Sequence, residues 1–227
     1  MEIVSAKTGH SMSQLRPESS VCISGNAPEI LTRIYDTYIK LCIYKRAIST
    51  NVKEYAIFLQ NSFHDFQLTQ IVSLHELNAL LCASLPQHQY RQDFLEDVFT
   101  VTEMYACLFG LRQVGFRLCV LNKTMCPRFH TDKVPCRLVT TYQGVATEWL
   151  PYQVVNREKL SAGGDGQPDR QSGLFNNQHD IQQLSCGDVA LLKGELWEGN
   201  ENAGLVHRSP AMLAGESRLL LTLDFSN

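Results

Sequence analysis

The stretch Cys126-Pro127-Arg128-Phe129-His130-Thr131-Asp132-Lys133-Val134-Pro135-Cys136 decides how the rest of the chain is read. It holds a His-x-Asp pair. On extended backbone, side chains two residues apart leave the same face, so His130 and Asp132 can meet one ion. A later histidine, His207 in Gly204-Leu205-Val206-His207-Arg208-Ser209-Pro210, lies far enough along for intervening strands to bring it back. Two imidazoles and one carboxylate on one side of an ion leave its other positions open. That donor set suits non-haem Fe(II), which must hold a cosubstrate and dioxygen together.

Around this stretch the pattern is strand, turn, strand. Phe116-Arg117-Leu118-Cys119-Val120-Leu121 precedes it, and Arg137-Leu138-Val139-Thr140-Thr141-Tyr142 and Thr147-Glu148-Trp149-Leu150 follow, separated by Gln143-Gly144. Each is a short alternating run bounded by turn residues. Residues 160–179 are rich in Gly, Asp and Gln and read as a mobile loop or lid. Strands resume at Ile181–Leu184, Asp188–Lys193 and Leu205–His207, and the chain closes with Arg218-Leu219-Leu220-Leu221-Thr222-Leu223-Asp224-Phe225.

Upstream of Gly115 the period changes. Apolar residues at three- and four-residue steps predict amphipathic helices over 29–49, 67–83 and about 90–113, with a mixed segment over 51–64. Their stripes are core-packing surfaces. Residues 1–20 are polar and Ser-containing and read as a flexible lead-in. The division is therefore 1–20 lead-in, 21–115 helical part and 116–227 jelly-roll metal-binding part, expected to form one unit.

Composition excludes several classes. The 227 residues are 44% hydrophobic and 19% charged, with a net charge of -3, as in an ordinary globular protein. That charge leaves no footprint for nucleic acid or an anionic membrane surface. No apolar run approaches the ~20 residues of a membrane-spanning helix. The N-terminus lacks the basic-then-apolar order of a signal peptide, so a cytoplasmic location is expected. The eight cysteines are scattered, with no Cys-x-x-Cys pair, and read as reduced thiols. Cys126 and Cys136 differ because they bracket the His-x-Asp pair. Thiolates from both would favour Zn(II) over Fe(II); otherwise they are small buried residues beside Pro127 and Pro135.

The order His-x-Asp, glycine-bounded strands, Gly187-Asp188-Val189, then His207 and Arg218 resembles the double-stranded β-helix of the cupin and 2-oxoglutarate oxygenase superfamily. More closely, Arg128-Phe129-His130-Thr131-Asp132, Arg137 to Gly144, Thr147-Glu148-Trp149-Leu150, Leu192-Lys193-Gly194-Glu195 and His207-Arg208-Ser209-Pro210 resemble a bacterial family known as domain of unknown function 1826. One departure is Val145-Ala146, where Pro-Gly is expected before Thr-Glu-Trp-Leu. The resemblance implies an α+β fold: a jelly-roll barrel with an N-terminal helical layer packed against it. It implies metal positions at His130, Asp132 and His207, and a cosubstrate position at Arg218, whose planar fork matches a carboxylate bidentately. It also implies an association with zinc homeostasis, so zinc competes with iron.

Thr222 or Tyr142 could add a hydroxyl to the cosubstrate. Arg128, Glu148 and Trp149 are candidates for lining the site, with Glu195 and Trp197 on an opposite wall. Arg208 is either a substrate contact or a partner of Glu148. Two functions stay open: an Fe(II)- and 2-oxoglutarate-dependent oxygenase acting on an unidentified small-molecule or protein substrate, and a non-catalytic cupin-like zinc-binding protein of metal homeostasis. Neither the substrate nor the oligomeric state is legible.

Overall fold

Leu219, Leu221 and Leu223 are wholly buried while their neighbours Arg218, Thr222 and Asp224 point the other way, and this alternation organises the molecule. A computed structural model describes residues 22–160 and 167–226. The strands are β1 (Cys22–Gly25), β2 (Leu41–Tyr44), β3 (Gln67–Ser73), β4 (Gln113–Leu121), β5 (Cys136–Gln143), β6 (Glu148–Trp149), β7 (Gln182–Gln183), β8 (Val189–Lys193), β9 (His207–Arg208) and β10 (Arg218–Phe225). The helices are α1 (Thr50–Ser62), α2 (Leu74–Ser84) and α3 (Arg91–Phe109).

Seven strands form one sheet in the order β1-β2-β8-β5-β10-β4-β3, and β7-β6-β9 form a smaller one. The β1–β2 pair is parallel; every other pair is antiparallel. Leu219, Leu221, Leu223, Phe116, Leu118, Leu138 and Leu191 bury one face of the large sheet against α1–α3 in the main core. On the other face, Leu41, Ile43, Val139, Ala190 and Leu192 pack under Ala146, Leu184 and Leu205 beside the small sheet. Two buried faces explain why β2 and β8 read as continuous apolar runs.

The strands expected after Gly115 are all present, β4 beginning three residues earlier than the sequence suggests. The first half differs. Residues 29–49 are not one helix: Pro28–Tyr35 is a 3-10 turn and β2 follows. Leu41 and Ile43 serve one core and Cys42 the other, a two-residue period hidden inside an apparent helical stripe. The helix expected over 67–83 is β3 followed by α2, because Ser73 caps α2 in a reciprocal box with Glu76, leaving 67–73 to pair with β4. The third expectation holds: α3 buries Phe94, Val98, Val101 and Tyr105 and ends at Gly110, whose φ of 62° suits a left-handed cap.

The large sheet therefore draws strands from both sides of Gly115. The 160–179 segment is also anchored where described: Leu174 and Phe175 are buried against Phe129, Leu150 and Val206. The lead-in expected over 1–20 and residues 161–166 of that loop lie outside the described residues. Among the described residues no helix is long and apolar enough to cross a membrane.

Candidate metal centre

The backbone brings the site together before any side chain does. His130 and His207 exchange both backbone hydrogen bonds, N to O, at 3.0 Å, forming a bridge between the His-x-Asp segment and β9. The amide of Glu195, just past β8, donates to the Asp132 carbonyl at 2.9 Å. Asp169 accepts from the Phe129 amide at 2.9 Å and from Arg208 at 3.3 Å, tying the 167–180 segment to the base of the site.

One ligand atom from each of His130, Asp132 and His207 lies within 4.8 Å of the others. His207 Nε2 is 3.3 Å from Asp132 Oδ2, and His130 Nε2 is 3.7 Å from Oδ1. Each imidazole points its Nδ1 at a backbone carbonyl: His130 at Arg128 O, 2.9 Å, and His207 at Leu205 O, 3.2 Å. A carbonyl only accepts, so in the neutral rings the protons sit on Nδ1 and the bare Nε2 lone pairs face the carboxylate. Burial, reinforced by the charge of His207, pushes the His130 imidazole down and favours its neutral form. Burial opposes ionisation of Asp132, but when His207 carries a second proton its Nε2 donates to the carboxylate, and that hydrogen bond with the charges of His207, Arg137 and His130 outweighs burial and holds the carboxyl down to about 2. Two lone pairs and a carboxylate converging on one point repel unless a cation lies between them. The donor set fits a divalent ion, with its far side open.

Arg137 orders this cluster. Its Nη1 donates to Asp132 Oδ2 at 2.8 Å, and its Nε and Nη2 take the two oxygens of Asp224 at 2.8 Å each. The cluster opens into a cavity of about 310 Å³ between the large sheet and β9, and Arg218 and Thr222 are among the residues that line it. Arg218 is 2% exposed. Its contacts are neutral: Ser209 Oγ at 3.2 Å and the Val145 carbonyl at 3.4 Å. Burial lowers its guanidinium to about 10, against the pull of Cys119 and Cys126. Gly144, with φ 88°, makes room for it: a Cβ there would meet the Ser217 carbonyl at 2.5 Å and Arg218 Cβ at 2.8 Å.

Several expected residues lie elsewhere. Tyr142 is on the helical face, wholly buried, donating to Asp97 at 2.7 Å, because its position alternates with Thr141 on the cavity side. Cys136 is on that same helical face, fully buried, its carbonyl accepting from Tyr105 at 2.7 Å. The thiolate pair that would favour zinc is therefore not assembled; Cys126 alone reaches the cavity. Arg128 turns to Asp169 and the Gln167 carbonyl. Glu148 is the carboxylate partner of Arg208 at 2.7 Å, and Trp149 packs on the second core. Glu195 accepts from Thr131 at 2.6 Å, while Trp197 lies on the far side of the sheet beneath Lys193.

Arg137, Asp224, Arg117, Ser209 and Thr147, all lining the cavity, were not anticipated. Arg137 shares strand parity with Val139 and Thr141, a signal present in the sequence. The others depend on strand pairing.

A family model described as Protein of unknown function (DUF1826) matches residues 25–224. No curated protein matches the chain. Among solved structures, the dioxygenase for auxin oxidation 1 of Arabidopsis thaliana, in a binary complex with 2-oxoglutarate, is similar at 12% identity and TM-score 0.52. The match covers 89% of this chain and 91% of that one, and shows a shared fold. HygX of Streptomyces hygroscopicus, with iron bound, matches at 12% identity and TM-score 0.47, over 87% of this chain and 85% of that one.

Proposed function

The chain belongs to the Protein of unknown function (DUF1826) family, and from that premise and the geometry of the His–Asp–His cluster we propose that it is a jelly-roll oxygenase dependent on Fe(II) and 2-oxoglutarate. The observation that carries this reading is the pairing of two features in one cavity. Two bare imidazole nitrogens face a carboxylate, and a buried guanidinium, Arg218, stands by without an acidic partner among the described residues. A buried cation lacking a counter-ion is costly unless a ligand brings one. The 2-oxoglutarate complex of the auxin dioxygenase, which shares the fold, supports the choice of cosubstrate.

His130, Asp132 and His207 would hold the ion, which when bound supplies the redox chemistry for activating dioxygen. Leu205 and Arg128 carbonyls fix the imidazole tautomers, and Arg137 fixes the Asp132 carboxylate. Arg218 would grip the far carboxylate of the cosubstrate as a bidentate fork, with the Ser209 hydroxyl beside it and the Thr222 hydroxyl further along β10 toward the substrate. The 167–180 segment holds Phe129 and Arg208 at the base of the site through Asp169, and the substrate would be oxidised in the remaining cavity.

Anaerobic addition of Fe(II) and 2-oxoglutarate is expected to give a weak visible charge-transfer band. His207→Ala abolishes it, and Arg218→Gln raises the 2-oxoglutarate concentration needed to see it. No band, together with no calorimetric heat of 2-oxoglutarate binding, overturns the proposal.

A further inference from the structure

The cavity holds more positive charge than the metal and cosubstrate account for. Four arginines line it. Arg137 is spent between Asp132 and Asp224, and Arg208 between Glu148 and Asp169. Arg117 and Arg218 have no carboxylate within ion-pair reach among the described residues. On the oxygenase reading above, a divalent ion with Asp132 leaves one positive charge and Arg218 a second. These match the two carboxylates of 2-oxoglutarate. Arg137 is neutralised by Asp224. Arg117 is left over.

Its surroundings are poor for a cation that merely decorates a surface. Arg117 is half-buried and its Nε is buried with no hydrogen-bond partner. Its Nη2 meets the thioether of Met125 at 3.2 Å, and its other neighbour is the thiol of Cys119, which burial keeps in its neutral form; both are weak sulfur acceptors, and neither is a counter-ion. A surface arginine would have all its donors in water. Thr69 on β3 and Thr222 on β10 stand directly opposite Arg117 in the two ladders, so the three side chains form one row across the cavity face. Arg218 lies at the inner end of β10, four positions before Thr222, while Thr69 and Ile71 are exposed at the rim. The row thus sits between the cosubstrate position and solvent, where an incoming substrate must pass.

We propose that Arg117, flanked by the Thr69 and Thr222 hydroxyls, recognises the substrate, and that the substrate is a small molecule bearing a carboxylate. This rests on the oxygenase reading for the meaning of the site, though not for the binding itself. The guanidinium fork supplies charge-assisted hydrogen bonds to both carboxylate oxygens, and the threonines supply neutral ones.

The test uses the full chain loaded with Mn(II) and 2-oxoglutarate, titrated calorimetrically at constant ionic strength with acetate, butyrate and benzoate, and with benzamide as a neutral counterpart. At least one carboxylate binds alongside bound 2-oxoglutarate and benzamide does not. Arg117→Gln weakens that carboxylate by about tenfold or more, as expected for loss of a charge-assisted pair, and leaves 2-oxoglutarate affinity unchanged. Arg117→Lys, which keeps the charge, retains part of the binding and guards against a folding artefact. Carboxylate titrations that do not differ between wild type and Arg117→Gln overturn the proposal, whether or not heat is seen. So does a loss of 2-oxoglutarate affinity in Arg117→Gln, which would assign this arginine to the cosubstrate. If wild type binds no 2-oxoglutarate but takes up a carboxylate through Arg117, the oxygenase reading fails and the carboxylate site stands.

Discussion

Arg137 links Asp132 to Asp224: one guanidinium nitrogen holds an oxygen of the first at 2.8 Å while two others hold both oxygens of the second. A metal-facing carboxylate is thereby fixed from a neighbouring strand through a single planar group. Replacing Arg137 with Met frees Asp132 to rotate and leaves Asp224 unpaired in the cavity. Loss of such an outer partner typically lowers metal affinity by about 10–100-fold. Mn(II) binding followed by calorimetry should show this, with Arg137→Lys intermediate because it keeps charge but not the fork. Equal affinity in Arg137→Met and wild type would show that Asp132 needs no brace.

Gly194 carries a second prediction. Its amide donates to the Pro135 carbonyl at 2.9 Å, and a Cβ at this position would run into the Val134 carbonyl and approach the Asp132 carbonyl to 2.9 Å. The neighbours are backbone and cannot swing aside. Gly194→Ala should therefore cost about 1–3 kcal/mol of stability, the usual range for overpacking, and weaken metal binding by displacing Asp132. Denaturant melts and metal titration of the same preparation would check both, and a stable variant with wild-type metal affinity would contradict the argument.

Tyr142 and Cys136 give a prediction of no effect at the site. Both face the helices rather than the cavity. Tyr142→Phe loses one buried hydrogen bond to Asp97, worth about 0.5–1.5 kcal/mol, and Cys136→Ser places a hydroxyl in an apolar core. Thermal melts should register both changes. Affinities for metal and for 2-oxoglutarate should stay at wild-type values, and a drop in metal affinity for Cys136→Ser would restore the thiolate reading.

Lys193 makes stability depend on pH. It is 1% exposed, donates to the Asp36 carbonyl at 3.0 Å and lies 4.8 Å from the Trp197 ring centroid. Burial, with the nearby charge of Lys40, lowers its ammonium from 10.5 to about 8. The folded state therefore holds fewer protons than the unfolded chain between these values, and stability from this residue rises with pH across that window. The stability of wild type minus that of Lys193→Met should grow from about pH 8 to about pH 10. Chemical denaturation at three pH values would measure it, and a flat difference would mean that Lys193 titrates normally.

The convergence of His130, Asp132 and His207 was legible because they are polar residues set among apolar strands, and the two-residue spacing of the first pair carries geometric meaning. The strands after Gly115 were legible through alternation and turn residues. Residues 67–83 were not, since Ile71, Leu74 and Leu77 keep helical spacing across the joint between β3 and α2. Ser73 and Glu76 marked that joint in plain view. Tyr142 was misplaced for want of parity: counting from Arg137, it falls on the opposite side from Val139 and Thr141. The bridge from Arg137 to Asp224 was beyond reach, because residues 87 apart meet only through a pairing of β5 with β10 that no local pattern encodes.

The alternation along β10 has a consequence for how this chain can vary. Its odd positions, 219, 221 and 223, are buried in the helical core, and its even positions, 218, 220, 222 and 224, face the cavity. A slip of one residue would drive an arginine, a threonine and an aspartate into the helical core and expel three leucines from it. A misaligned conformer with a blank site is thus penalised by folding itself, with no need for selection on activity. The converse also holds. Substitutions at the even positions can retune what the cavity accepts while the leucines on the other side continue to hold the strand in place.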